Sequence, residues 1–254
     1  MEWFCMLMRP LTDEQINQYE KDGYVIIRNG CSEDLIDAFN AHIYTIRSAK
    51  EIADWAVPGK TWTDKDRFST RLFNPHKQDG FSLQMIKLPI IRGALCQLMG
   101  DEAVGIQSMY FFKEPGAKGQ AAHQDYYYIK TEPNTMIAAS IAMDKTDEEN
   151  GCLWVIPGSH KLGLLTHGEV KDLVEHEHWT HETEGIDLGK QIPVIMEKGD
   201  LLIFHNLLIH SSTLNRSTNR WRRSYVCHYV HHASFVGPEH LRFKTPLIRE
   251  NMRF

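Results

Sequence analysis

Apolar residues along the chain follow two rhythms, and the change falls near Gly100. Before it the spacing is helical. Leu35, Ile36, Phe39, Ile43 and Ile46 recur every three or four residues after Ser32, which predicts an amphipathic helix. Pro89 opens another, with Ile91, Ala94, Leu95 and Leu98 facing inward and Gly100 as its stop. Thr12 followed by Gln15 is a capping box for a short helix ending at Lys21–Asp22, with Gly23 at its C′ position. Tyr24-Val25-Ile26-Ile27 then reads as a strand. After Gly100 the apolar segments are short: 105–112, 121–129, 136–143, 152–156, 192–196, 200–205 and 222–230. Turn residues separate them at Glu114-Pro115-Gly116, Asn150-Gly151, Pro157-Gly158 and Lys198-Gly199-Asp200.

Helices first and many short strands after predict a mainly β fold with flanking helices (α+β), a β-sandwich or jelly roll buttressed by N-terminal helices. Composition does not shift between the halves and nothing repeats, so one domain is expected over 1–254. In it, 1–100 is mostly helical support and 101–254 the jelly-roll core. Residues 161–190 stand apart as a polar stretch with His167, His176, His178 and His181 among many acids. An insertion of that length between strands is expected to be a lid or a mobile surface loop.

An ordinary apolar content of 42% excludes wholesale disorder. A net charge of −5 leaves no electrostatic footprint for nucleic acid. With no long apolar run, no helix is expected to span a membrane, which leaves a small molecule as the expected partner. The opening MEWFCMLMRP reads as a short extension rather than a signal peptide. Cys5, Cys31, Cys96, Cys152 and Cys227 are odd in number, widely spaced and without C-x-x-C. They predict no disulfide framework and suit a reducing cytoplasm.

Histidine is the unusual count, at 14, and the commonest metal ligand. His123-Gln124-Asp125 lies in the segment 121–129. If that segment is a strand, His123 and Asp125 share a face and Tyr127 follows them. A third ligand must come from elsewhere, and His210, just beyond the strand that ends at His205, is the best placed. Two histidines and one carboxylate on one side of a metal leave three positions open, the donor set of non-haem Fe(II) oxygenases. On the segment 105–112 and its continuation, Gln107, Met109, Phe111 and Lys113 share one face, so Gln107 is a candidate for contact with a bound small molecule.

The chain resembles the phytanoyl-CoA dioxygenase (PhyH) family of Fe(II)- and 2-oxoglutarate-dependent oxygenases. His123-Gln124-Asp125, the run NGCLWVIPGSH, GDLLIFHNLLIHSS with His210, and Asn215 through Arg222 carry the resemblance. The N-terminal LTDEQINQYEKDGYVII also matches that family's entry helix and first strand. The resemblance implies a double-stranded β-helix with His123, Asp125 and His210 as iron ligands. It implies that Arg222 grips the distal carboxylate of 2-oxoglutarate, with Ser212 sharing it; Gln107 is a further co-substrate candidate. Its reaction is hydroxylation of a small-molecule metabolite using O2, with release of succinate and CO2. Asp125 favours hydroxylation over halogenation, because halogenating relatives carry a small residue there. Arg71 falls where relatives can carry a basic active-site residue, and Tyr127 and Asn206 are further pocket candidates. Ser140 aligns near the co-substrate.

Rival readings remain. His205 competes with His210, and Arg220 and Arg223 with Arg222. His176, His178 and His181 offer a second metal site, His160 reads as structural, and His231 and His232 are expected on opposite sides of a strand. A metal-dependent hydrolase can use the same His-Asp-His set, and a non-catalytic binding protein can keep the fold. A dicarboxylate clamp at Arg222 and Ser212 speaks for the oxygenase.

Overall fold

The computed structural model describes residues 9–48, 71–237 and 244–247, so the opening extension lies outside the described residues. Among the described residues four helices precede the long strands: α1 (Asp13–Asp22), α2 (Glu33–Ser48), α3 (Gly80–Ile86) and α4 (Pro89–Met99). The capping box forms as predicted: Thr12 Oγ1 accepts from Gln15 N–H, and Gln15 Oε1 accepts from Thr12 N–H. Gly23 ends α1 and Gly100 ends α4, both in the left-handed conformation that glycine tolerates. Helix α3 and strand β2, below, were not anticipated; each is too short to show a period.

The major sheet runs β1 (Tyr24–Ile27), β10 (Leu201–His205), β5 (Ile137–Ala142), β12 (Arg222–His231), β3 (Ala103–Lys113) and β14 (Thr245–Pro246), with β2 (Arg71–Phe73) also paired to β3. Two-residue β4 (Thr131–Glu132) and β13 (Phe235–Val236) pair apart from it. All pairings in the major sheet are antiparallel. The facing sheet orders β11 (His210–Ser212), β6 (Leu153–Val155) and β9 (Ile192–Val194). A hairpin of β7 (His167–Glu169) and β8 (His181–Thr183) occupies the 161–190 stretch.

Strand alternation divides the side chains into two cores. Tyr225, Cys227 and Tyr229 of β12, Tyr110 and Phe112 of β3, and Leu201 and Ile203 of β10 face the helices. There they pack on Ile36, Phe39, Ile43, Ile91 and Leu95. Tyr225 and Tyr229 donate their hydroxyls to the carbonyls of Ser82 and Ile86 at 3.1 and 3.0 Å, which laces α3 to the sheet and gives both buried phenols a partner. The opposite face, with Ala138, Ala142, Leu202 and Phe204, packs on Val155 and Val194 of the small sheet. This is a jelly roll with helices on one outer face. The inner row of β12 is Arg222, Ser224, Val226 and His228, by the same parity that puts its tyrosines outside.

Cys31, Cys152 and Cys227 are free and buried. Cys96 is disulfide-bonded, which the expectation of no disulfide framework did not single out.

Candidate metal and co-substrate site

The segment 121–129 is not a strand. His123 makes a single bridge to His210: its N–H donates to His210 O at 2.9 Å, and His210 N–H returns to His123 O at 3.0 Å. The chain then turns into a one-turn helix, α5 (Asp125–Tyr128). No neighbour continues the ladder, and Gln124 fixes the turn by donating to the carbonyls of Gly163 and Leu207, both at 2.8 Å. The helix brings Asp125 to the histidines all the same. Tyr127 does not follow the ligands; it stacks on His167 at 4.2 Å between centroids. Tyr128 instead meets the His123 ring edge-on at 5.8 Å.

His123 and His210 carry the same device. Each directs Nδ1 at the carbonyl two residues earlier, Ala121 at 2.8 Å and Leu208 at 3.0 Å. A carbonyl only accepts, so the proton sits on Nδ1 and Nε2 carries the lone pair. Their Nε2 atoms lie 3.6 and 3.7 Å from Asp125 Oδ1, and the three ligand atoms fall within 4.8 Å of one another. Bonds of roughly 2.1 Å to one metal need about that spacing. The residues therefore fit a divalent metal with two imidazoles and one carboxylate oxygen.

The electrostatics agree. Burial holds His210 neutral, pulled down to about 4, with repulsion from His123 adding to it. Burial by itself would raise the Asp125 carboxyl; His210 and His228 outweigh it and hold the group well below the usual carboxylate range. His228, on the inner face of β12, donates Nε2–H to Asp125 Oδ2 at 3.0 Å, leaving Oδ1 toward the histidines. His228 was not singled out from sequence, although its parity with Arg222 was available. Gln120, also missed, places its amide Nε2 3.0 Å from His123 Nε2.

Two residues beyond His210 on β11 begins a cationic pocket. Arg222 is buried and donates to Gly151 O at 3.0 Å and to Ser224 Oγ at 3.2 Å. Lys113 is buried beside it and reaches the same carbonyl at 3.4 Å, Ser212 Oγ at 3.2 Å and Thr213 O. Burial pulls Arg222 down to about 10; burial and then Arg222 push Lys113 well below its ordinary value. Among the described residues neither has a carboxylate within 4 Å. Two buried cations side by side are costly unless an anion joins them. Ser140, on the inner face of β5, has a buried hydroxyl with no partner. Two strand residues span about 6.6 Å, which suits a five-carbon diacid of roughly 5 Å between its ends.

Two glycines permit this crowding. A Cβ on Gly119 would lie 1.7 Å from Ser212 O, and one on Gly151 2.5 Å from Thr213 O, where φ is +76°.

The other arginines are engaged elsewhere. Arg220 forms ion pairs with Asp147 and Glu149, and Arg223, on the opposite face, holds Asp144 in a fork at 2.8 and 2.5 Å. Gln107 is buried opposite His228 in the β3–β12 register. Asn206 is buried and donates its side-chain amide to Asn134 Oδ1, while its side-chain oxygen has no hydrogen-bond partner. His205 turns toward Tyr19 and His160, and His160 donates to Glu20 O at 3.2 Å, a structural role as expected. No metal cluster includes His176, His178 or His181 among the described residues. His231 and His232 are not on opposite sides: their rings lie 4.4 Å apart beside Asp101, because β12 ends at His231. Ala233 N–H donates to His231 Nδ1, which leaves the proton on Nε2, facing Asp101 as a hydrogen-bond donor.

The 161–190 stretch is stitched to the ligand segment. Gly119 exchanges backbone hydrogen bonds with Glu175 and Glu177 at 2.8 and 2.9 Å, and Thr183 N–H donates to Ala122 O at 2.7 Å.

The model of the family described as phytanoyl-CoA dioxygenase (PhyH) matches residues 19–224. The chain belongs to the PhyH family. It is therefore an Fe(II)- and 2-oxoglutarate-dependent dioxygenase on a jelly-roll fold, as its motifs predicted. The peroxisomal phytanoyl-CoA dioxygenase of Rattus norvegicus is 30% identical over 234 residues, covering 86% of this chain and 68% of the relative. A methylphosphonate hydroxylase of Gimesia maris is 28% identical, covering 85% and 80%. Among solved structures, the epimerase SnoN, in complex with Fe3+, α-ketoglutarate and nogalamycin RO, superimposes with a TM-score of 0.71 at 18% identity, over 94% of this chain and 96% of that one. EvdO2 from Micromonospora carbonacea, complexed with 2-oxoglutarate, gives 0.69 at 16% identity, over 89% and 92%. At such identities the structures show the shared fold.

Proposed function

We propose that this PhyH-family chain, read as one domain, hydroxylates a small-molecule metabolite, with His123, Asp125 and His210 as the iron ligands. Arg222 and Ser212 then hold the distal carboxylate of 2-oxoglutarate, with Lys113 as a second cation and Gln107 and Ser140 lining the same face. The observation that carries the reading is the pairing of the two parts: a triad whose Nε2 atoms carry lone pairs, and buried cations lacking a carboxylate among the described residues, beginning two strand residues away. Iron(II) with 2-oxoglutarate and O2 supplies the oxidation, releasing succinate and CO2. The chain supplies the rest. His228 orients the Asp125 carboxylate, the Gly151 carbonyl aligns Arg222 with Lys113, and the inner apolar row around Val226 and Phe204 keeps water from the co-substrate.

Asp125 keeps its carboxylate in the donor set, which supports hydroxylation over halogenation. The hairpin stretch 161–190 serves as a cover over the substrate side, with Tyr127 and Asn206 lining outer positions at most. No helix among the described residues is long and apolar enough to cross a membrane. A cytoplasmic setting, with no nucleic-acid partner, belongs to the proposal on the cysteine pattern and charge. The Cys96 disulfide weighs against that setting, and intact mass of natively purified protein with and without reductant decides between them. Succinate formation tests the function. It should require Fe(II), 2-oxoglutarate and O2 together and vanish in His210→Ala; iron-loaded, folded protein that forms none would contradict the reading.

A further inference from the structure

The two histidine ligands are not equally open to an ion. His210 Nε2 meets no hydrogen-bond donor among the described residues, whereas His123 Nε2 lies 3.0 Å from the amide nitrogen of Gln120. His123 has its proton on Nδ1, 2.8 Å from Ala121 O. Its Nε2 therefore offers a single lone pair in the ring plane. The Gln120 amide N–H is the donor to it, since an amide oxygen there would face that lone pair. A metal bound to Nε2 needs the same lone pair. Amide and ion exclude one another.

Gln120 is able to yield without moving the chain. Its backbone is clamped to β11: its N–H donates to Ser212 Oγ at 3.1 Å, and Ser212 N–H donates to Gln120 O at 2.9 Å. Gly119 beside it packs so closely that a Cβ would lie 1.7 Å from Ser212 O. The Gln120 side chain is only half-buried, so its own torsions can carry the amide off His123 while the main chain stays.

His123 does not need the amide to keep its place. The Nδ1–H bond to Ala121 O fixes the ring, the paired backbone hydrogen bonds with His210 fix the main chain, and Tyr128 meets the ring edge-on. Removing the amide therefore takes away a competitor rather than a support.

We infer that Gln120 is a gate on the metal site: its amide occupies the ligating lone pair of His123, swings aside when an ion binds, and holds the metal affinity below what the triad alone would give. This rests on the ligand assignment proposed above. The hydrogen bond stabilises the metal-free protein and is lost from the loaded one, a difference that an ordinary structural glutamine would not produce.

Co(II) is the probe, titrated without 2-oxoglutarate into wild type, Gln120→Leu and Gln120→Asn, with dissociation constants read by competition against a chromophoric chelator. Leu fills the space without a donor, and Asn is one methylene too short to reach Nε2. Leaving the buried His123 acceptor without its donor destabilises the metal-free protein alone, so both variants should bind Co(II) about tenfold more tightly. Metal-free Gln120→Leu should melt about 4 °C below the wild type, and the two should melt together at the same saturating Co(II). Equal or weaker Co(II) binding in both variants overturns the inference. An equal fall in melting temperature with and without Co(II) also overturns it, by making Gln120 an ordinary support. Co(II) binding that survives His210→Ala unchanged refutes the ligand assignment instead.

Discussion

Replacing His228 with Leu removes the donor to Asp125 Oδ2 and leaves the rest of the triad in place. The bond is 3.0 Å long, fully buried and made to an ionised carboxylate. Hydrogen bonds of that class contribute about 1.5–3 kcal/mol. Partners that orient metal ligands alter metal affinity by about 10–100-fold, which is about 1.4–2.7 kcal/mol. The two scales agree, so Fe(II) should bind His228→Leu about 10–100-fold more weakly. Anaerobic competition against a chromophoric chelator measures this directly. His228→Gln, which keeps an N–H at similar reach, should recover much of the loss. If both variants bound Fe(II) within twofold of the wild type, or if Gln recovered nothing while thermal stability fell equally in both, the positioning role would be wrong.

Lys113→Met removes one of the two buried cations and frees Ser212 and Thr213; the dissociation constant for 2-oxoglutarate should rise about tenfold, read from the charge-transfer band, while Fe(II) affinity changes little. Gly119→Ala forces a Cβ against Ser212 O at 1.7 Å, so it should lower stability by more than about 4 kcal/mol or prevent folding, followed by urea denaturation. Burial depresses His76 and His205 to about 4 each, with Lys77 and His160 adding repulsion. The unfolded chain, with histidines near 6.5, binds the extra protons first, so stability rises with pH. Metal-free protein should be fully stabilised by these two groups above pH 6.5 and lose that contribution progressively toward pH 4; His76→Gln or His205→Gln should flatten the denaturation midpoint over that window.

Most of the fold was readable because the strands of the major sheet are short apolar runs bounded by turn residues. Residues 103–113, 137–142, 201–205 and 222–231 bury one face against the helices and one against the facing sheet, and such runs are what a sequence displays. The capping box at Thr12 and the stops at Gly23 and Gly100 were readable for a local reason, since caps bond within three or four residues. The segment 121–129 misled because its turn depends on Gln124 reaching Gly163 and Leu207, contacts that no local pattern reveals. The outcome for the triad was the same by a different route: His123 and Asp125 converge through a bridge and a helical turn.

The co-substrate pocket was half legible. Arg222 stood out through its motif, and the structure separates it from Arg220 and Arg223 by the carboxylates those two engage. Lys113 was placed on the right face but not recognised as a second cation, because Ser212, Thr213 and Gly151 come from distant loops. His228 lies within the apolar segment 222–230 and was not singled out. Counting by twos from Arg222 puts it on the inner face, and that signal was there to use. Asn206 and Tyr127 were drawn by proximity in sequence to the ligands, whereas their side chains pack against Asn134 and His167.

The central claim is that triad and cation pocket together take one co-substrate. Anaerobic titration of Fe(II)-loaded protein with 2-oxoglutarate, alongside Arg222→Gln, tests it most directly. A visible charge-transfer band that saturates in the wild type, and needs at least tenfold more 2-oxoglutarate in Arg222→Gln, is the predicted result. Bound iron with no band, or a band indifferent to Arg222, would contradict it.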